Sequence, residues 1–270
     1  MPNFSTRLEK DENGKITPVL QHQDAVMNLF RLNEDGSIGE MLDFVKHEGL
    51  YMSLLGKLTI AHPHSAMRSP SGKIFACCDK GDSHMHLYAI ENGKLKRLSR
   101  TLTDLPGSEP RHCAFHPEKH WLIVNHEHTP EDKITLTVFR YDEEGAMEKL
   151  HTFHADPTGF EPVENPRQQQ GMAITPDGRF VYTQAHGYNL LIAMAVDQET
   201  GALRQIQSLR IEGTWPRSLD MSPDGKFLIC CALAGQITVY AVNEDGTLTD
   251  TGFRGFSKGS GGVSFYDPTK

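Results

Sequence analysis

The apolar positions of this chain fall in short runs that recur after one kind of turn. Lys73-Ile74-Phe75-Ala76-Cys77-Cys78 follows Ser69-Pro70-Ser71-Gly72, and Trp121-Leu122-Ile123-Val124 follows His116-Pro117-Glu118-Lys119. Arg179-Phe180-Val181-Tyr182-Thr183 follows Thr175-Pro176-Asp177-Gly178, and Lys226-Phe227-Leu228-Ile229-Cys230 follows Ser222-Pro223-Asp224-Gly225. Aromatic and β-branched residues bounded by Pro, Gly and Asp read as strands. These runs read as inner strands, and a further run follows each as an outer strand: His86 to Ile90, Thr135 to Phe139, Leu191 to Val196 and Gln236 to Tyr240. Acidic turns at Gly93, Gly145, Gly201 and Gly246 close the units, and no amphipathic helical stretch of comparable length interrupts them. The turn prolines lie 47, 59 and 47 residues apart, close to the length of one four-stranded propeller blade. The pattern therefore predicts an all-β protein, a β-propeller of four-stranded antiparallel blades.

The rhythm changes at both ends. Two acidic turns around Gly14 and Gly36 lie only 22 residues apart, too close for a whole blade. Residues 1–23 read as an N-terminal remnant hairpin and residues 24–270 as the propeller, with 24–45 supplying the outer half of a blade. Gly261-Gly262-Val263-Ser264-Phe265-Tyr266 reads as one inner strand, ahead of a fifth turn at Asp267-Pro268-Thr269. Pairing the two ends gives five or so blades with a split closing blade and hides open strand edges; an unclosed arc would favour homo-oligomers. Residues 46–61 match no blade element and read as a loop or a short helix.

Charge and cysteine content narrow the partners. A formal charge of −8 over 270 residues lacks the basic stripe of a nucleic-acid binder. No stretch has the roughly 20 apolar residues of a membrane helix, nor has the N-terminus a signal-peptide core, so the expectation is a cytoplasmic protein without membrane partners. The five cysteines, Cys77, Cys78, Cys113, Cys230 and Cys231, include two adjacent pairs whose side chains point to opposite faces of a strand. They read as buried thiols rather than as nucleophiles or disulfides.

Counting from the turn prolines assigns candidate chemistry. Six residues before them stand His64, Arg111, Gln170 and Arg217, with Gly262 at the fifth turn; ten residues after them stand Lys80, Glu127, His186 and Leu233. In a blade these two positions lie at nearly the same height, so two polar rings face one channel mouth. Glu127 or His64 suits a base that activates water, and Arg111 and Arg217 suit donors to a carboxylate, phosphate or developing oxyanion. Each residue also has a structural reading: His64 capping a strand, the arginines paired with blade carboxylates, Glu127 solvated. Among 14 histidines, the pairs 62/64, 84/86 and 126/128 could begin a zinc site with Glu127 or His112, but they are spread over several blades, and neither metal nor cofactor is expected.

Pro63-His64-Ser65, Pro110-Arg111-His112-Cys113-Ala114-Phe115-His116-Pro117, Thr175-Pro176-Asp177-Gly178-Arg179-Phe180-Val181-Tyr182 and Trp215-Pro216-Arg217, taken in order, resemble the seven-bladed β-propeller lactonases. That family includes bacterial-type 6-phosphogluconolactonase and carboxy-cis,cis-muconate cyclase, and the resemblance runs from about residue 24 to 266. It implies a chain shortened at its N-terminal side and no essential metal. It also implies active-site roles for His64, Arg111, Arg217 and Glu127, with His112, Gln170, His186 and Lys80 as substrate-binding candidates. The implied function is hydrolysis of a sugar lactone, 6-phosphogluconolactone of the pentose phosphate route above all. Alternatives are a carboxymuconate cycloisomerase and a non-catalytic propeller that binds a metabolite or protein. The partner is a small anionic sugar lactone or carboxylate. Family patterns put Asn-Glu where this chain has His126-Glu127, Asn-Arg near Ala185-His186 and an acid where Gly171 stands, which leaves the substrate and retention of activity open.

Overall fold

The computed structural model describes residues 5–10, 13–14, 16–21, 25–48, 50–52, 58–103, 107–129, 133–163, 169–259 and 261–265. Three antiparallel hairpins come first: β1 (Ser5–Lys10) with β2 (Ile16–Gln21), β3 (Ala25–Leu32) with β4 (Ile38–His47), and β5 (Leu50–Met52) with β6 (Leu58–Ile60). Four four-stranded antiparallel blades follow. Blade 1 is β7 (Pro63–Arg68), β8 (Ile74–Asp79), β9 (His84–Glu91) and β10 (Lys94–Leu102), and blade 2 is β11 (Pro110–Phe115), β12 (Trp121–His126), β13 (Ile134–Tyr141) and β14 (Met147–Ala155). Blade 3 is β15 (Gln169–Ile174), β16 (Phe180–Ala185), β17 (Leu190–Val196) and β18 (Leu203–Arg210), and blade 4 is β19 (Pro216–Met221), β20 (Phe227–Ala232), β21 (Gln236–Val242) and β22 (Leu248–Phe256).

The turns work as their sequences predict, with one substitution of parts. In Thr175-Pro176-Asp177-Gly178 the Gly178 N–H donates to the Thr175 carbonyl at 2.9 Å with φ +74°, a conformation that favours glycine. Blade 2 has no glycine there; instead the His116 ring nitrogen accepts from the N–H groups of Glu118 and Lys119, at 3.2 and 3.0 Å.

Successive blades stack through faces defined by the same repeat positions. Ile74, Cys78 and Leu87 of blade 1 meet Leu122, Val124 and Phe139 of blade 2. Ile123, Leu136 and Val138 of blade 2 meet Val181, Ile192 and Met194 of blade 3, and Tyr182 and Leu191 of blade 3 meet Leu228, Cys230 and Tyr240 of blade 4. All five cysteines are buried and unbridged. The apolar runs after the turns are thus the second strands, not the innermost, because a strand apolar on both faces must lie between two neighbours. β7, β11, β15 and β19 contact one another in turn and form the innermost layer.

Two end assignments change, and two lie outside the described residues. Residues 50–52 and 58–60 pair as strands where a loop or helix is expected, while 49 and 53–57 lie outside the described residues. The boundary at 23/24 and the turn at Asp267 also lie outside them. Residues 261–265 form no strand and do not pair with β3 or β4, so the described residues build no split closing blade. Their backbone is captured by blade 4 instead: the Phe265 N–H and Ser264 hydroxyl donate to the Asp220 carboxylate at 2.6 and 2.9 Å. The repeat position occupied by Ile74, Trp121 and Phe180, buried to 9% exposure or less, is Phe227 in blade 4, and it is 41% exposed.

Candidate functional site

The register residues share a structural cause. Strand pairing shifts between Pro63 and Ser65, Pro110 and His112, Gln169 and Met172, and Pro216 and Ser218. His64, Arg111, Gln170 and Arg217 are therefore residues of a β-bulge repeated at one place in four innermost strands. A bulge re-aims a side chain and leaves backbone groups out of the ladder. Side chains eight residues after the turn proline take up those groups: Asn125 accepts from the His112 N–H at 2.9 Å, and Gln184 accepts from the Gly171 N–H at 3.3 Å. The thiol at the same position in blade 4, Cys231, receives a hydrogen bond from the backbone of Ser218.

An ion cluster joins blades 1 and 2. Buried Arg111 donates from Nε to Glu127 Oε2 at 2.7 Å, and Lys80 Nζ donates to Glu127 Oε1 at 2.6 Å. Glu109 stands 3.7 Å from the same ammonium. Burial alone would raise the Glu127 pKa, but the pull of Lys80 and Arg111 overcomes it and holds the carboxyl at about 2. Both its oxygens are engaged by cations. Burial lowers the Arg111 pKa, with Glu127 opposing.

Two imidazoles lie beside this cluster, 5.1 Å apart and edge to face. His64 Nδ1 lies 3.2 Å from the Arg111 carbonyl and His112 Nδ1 lies 2.9 Å from the Gln170 carbonyl. A carbonyl only accepts, so His64 Nδ1 carries the proton and its Nε2 keeps its lone pair. His112 Nδ1 faces both the Gln170 carbonyl and, at 3.3 Å, the Arg111 Nη1 donor, and the shorter carbonyl contact assigns it the proton. Burial first, then the charge of Arg111, holds His64 down at about 2 and His112 at about 3, so both rings are neutral. Arg217 Nη1 donates to Gln170 Oε1 at 3.2 Å and pairs with no carboxylate among the described residues. The structure thus brings His64, Lys80, Arg111, His112, Glu127, Gln170 and Arg217 into one contact network. His186 stands a step away: it begins the 3-10 turn that follows β16, and its ring stacks at 4.8 Å on Trp215.

Among the described residues, two clusters present metal-type donors within 4.8 Å of one another, His47/Asp79/His86 and Glu109/Glu127/His128. In the first, His47 Nδ1 and Asp79 Oδ2 are 2.6 Å apart, a hydrogen-bond distance and shorter than the roughly 3.3 Å between two ligands of one tetrahedral zinc. In the second, an ion would compete with Lys80 for Glu127.

The family described as "Lactonase, 7-bladed beta-propeller" matches residues 3–263. This chain belongs to that family. The lactonase-family propeller is 26% identical over 220 residues to the 6-phosphogluconolactonase of Bacillus subtilis, covering 81% of this chain and 60% of that protein. It is 27% identical over 250 residues to the enzyme of the same name from Pectobacterium carotovorum, covering 91% and 69%. A solved structure of a protein from Lactobacillus plantarum superposes with a TM-score of 0.79 at 23% identity, over 90% of this chain and 69% of that one, and carries the same fold. This lactonase-family chain thus spans about three fifths to two thirds of the length of the curated relatives it matches.

Counting from the prolines missed Glu109 and Asn125. Glu109 precedes the first residue of β11, two places before the counted register, and Asn125 directly follows an apolar run. An amide that extends the run Trp121-Leu122-Ile123-Val124 was a usable signal, since a buried amide needs partners.

Proposed function

We propose that this protein hydrolyses a sugar lactone carrying one anionic group, 6-phosphogluconolactone being the substrate that fits best. The observation that carries the reading is Arg217, a half-buried guanidinium without a carboxylate partner among the described residues, beside two neutral imidazoles and the Arg111–Glu127–Lys80 cluster. The names of the curated relatives support the same substrate class.

In this reading Arg217 binds the phosphate and His64 Nε2 is the base. Water adds to the lactone carbonyl carbon, its proton passes to His64, and the carbonyl electron pair moves onto oxygen. Collapse of that intermediate breaks the ring C–O bond, and the ring oxygen takes the proton back from His64 to give the hydroxy acid and restore the neutral imidazole. An anion beside Arg111 and Arg217 offsets the field that depresses both histidines, so substrate raises the basicity of the group that needs it. Glu127 anchors Arg111 and Lys80 rather than taking the proton, because both its oxygens are bonded.

Cycloisomerisation of a tricarboxylate fits less well. Two of the three clustered cations already face Glu127, which leaves one for three carboxylates. The test is lactone opening followed by pH-stat against the uncatalysed rate, with Arg217→Ala expected to lower kcat/KM about 100-fold while Tm holds within about 2 °C. An active wild type with an unaffected variant removes Arg217 from the site. Tight binding of the hydroxy acid without turnover identifies a non-catalytic metabolite binder.

A further inference from the structure

We propose that His47, at the end of the N-terminal hairpin β3–β4, is a positioning residue for the site in the blades: through Asp79 it fixes the loop that carries Lys80 and the entrance to the strand that carries His64. This rests on the reading of Lys80, Glu127, Arg111 and His64 as the functional group.

The connection is continuous. Buried His47 donates from Nδ1 to Asp79 Oδ2 at 2.6 Å, and its Nε2 is hydrogen-bonded to the Tyr88 hydroxyl at 2.6 Å. The other oxygen of Asp79 accepts three backbone N–H groups, from His62 at 2.6 Å, Gly81 at 3.0 Å and Asp82 at 3.1 Å. Two of those residues flank the site: His62 lies two before His64, and Gly81 follows Lys80. The Lys80 N–H closes the loop onto the His62 carbonyl at 3.0 Å. A Cβ at Gly81 would sit 1.7 Å from the Ile60 carbonyl oxygen, so this loop is pressed onto β6 as well. From Lys80 the path runs through Glu127 to Arg111, and the Arg111 carbonyl accepts from His64 and from the Ser65 hydroxyl.

This device belongs to blade 1 alone. Asp79 pairs with the first residue of its innermost strand, and the residues with that pairing in the other blades are His126, Ala185 and Ala232. A carboxylate is therefore not part of the blade plan. Its second oxygen faces the hairpin, the one element that supplies His47. A residue far from the reacting groups can set a rate in this way, because small displacements of aligned groups cost large factors.

The test uses the full chain with three variants. His47→Leu removes the donor to Asp79, His47→Asn restores an N–H near Nδ1, and Tyr88→Phe removes the other bond of His47, together with the hydroxyl's bond to Arg97, and leaves Asp79 its donor. His47→Leu is expected to speed amide exchange at His62, Gly81 and Asp82 about tenfold or more while Val181 and Tyr182 in blade 3 stay unchanged, and to lower kcat/KM for the lactone about tenfold. His47→Asn should recover most of both, and Tyr88→Phe should keep turnover within about twofold. Unchanged exchange, or faster exchange with unchanged turnover, overturns the proposal. If His47→Leu does not fold, His47→Gln replaces it, since its amide reaches the Tyr88 side and not Asp79; equal rates for the Gln and Asn variants overturn the proposal. A wild type without lactone turnover sinks the functional reading separately. Exchange at Lys80 and Glu127 then decides the inference, and no change at either in His47→Leu overturns it.

Discussion

Glu127 is where electrostatics and stability can be weighed together. It is 8% exposed, with one oxygen 2.7 Å from Arg111 and the other 2.6 Å from Lys80. Glu127→Gln keeps the shape and removes the charge, leaving two cations facing a neutral amide. A carboxyl held at about 2 instead of its ordinary 4.5 contributes about 3 kcal/mol at pH 7, at the lower end of the cost of breaking a buried pair. For a chain of this size that is a fall in Tm of about 6–12 °C. Because the folded pKa is depressed, the contribution is complete above about pH 4.5 and drains away as pH falls toward 2, with less than half left at pH 3. Glutamine does not titrate, so the gap between the two proteins must narrow in acid. Urea unfolding followed by tryptophan fluorescence at pH 7 and pH 3 measures it. A gap below about 1 kcal/mol at pH 7, or one of equal size at both pH values, refutes the assignment of Glu127 as the anion that holds Arg111 and Lys80.

Two further substitutions probe the frame around the site. Ile123→Ala at the fully buried contact between blades 2 and 3 should cost about 2–5 kcal/mol in urea unfolding; a loss under 1 kcal/mol would mean that this contact is looser than it looks. Gly171→Ala places a Cβ 2.6 Å from the Leu219 nitrogen and 2.8 Å from Gln184 Oε1, so it should destabilise by about 1–3 kcal/mol, and an unchanged midpoint would show that β15 and β19 can part freely.

What the sequence reveals divides along physical lines. The blade turns are legible because their chemistry is local: Thr175, Asp177 and Gly178 close a turn among themselves. The shared register of His64, Arg111, Gln170 and Arg217 is legible for the same reason, being a fixed count from those turns. The bulge at that register is not, since it is defined by strand pairing rather than by residue type. The double engagement of Glu127 is equally hidden, because Lys80 lies 47 residues away and nothing local marks the pair. At the ends the repeat misleads. Val263 and Phe265 carry a strand-like pattern, yet Asp220 takes the backbone and no ladder forms. Residues 50–52 and 58–60 are too short for periodicity to reveal them as strands.

The repeated bulge separates two kinds of selection. A residue inside a ladder answers to its cross-strand partner, its face and its neighbours, so few replacements survive there. A residue extruded at a bulge, with Asn125 or Gln184 already looking after the stranded backbone beside it, is released from those obligations. The positions of Gln170 and Arg217 therefore behave as sockets whose fittings can be exchanged while the mount stays put, whereas His64 is held by its role as the base. Arg111 is held too, since its buried charge is tied to Glu127 and the two must change together. New substrate preferences on this scaffold should then arise in single steps at Gln170 and Arg217 and in paired steps at Arg111.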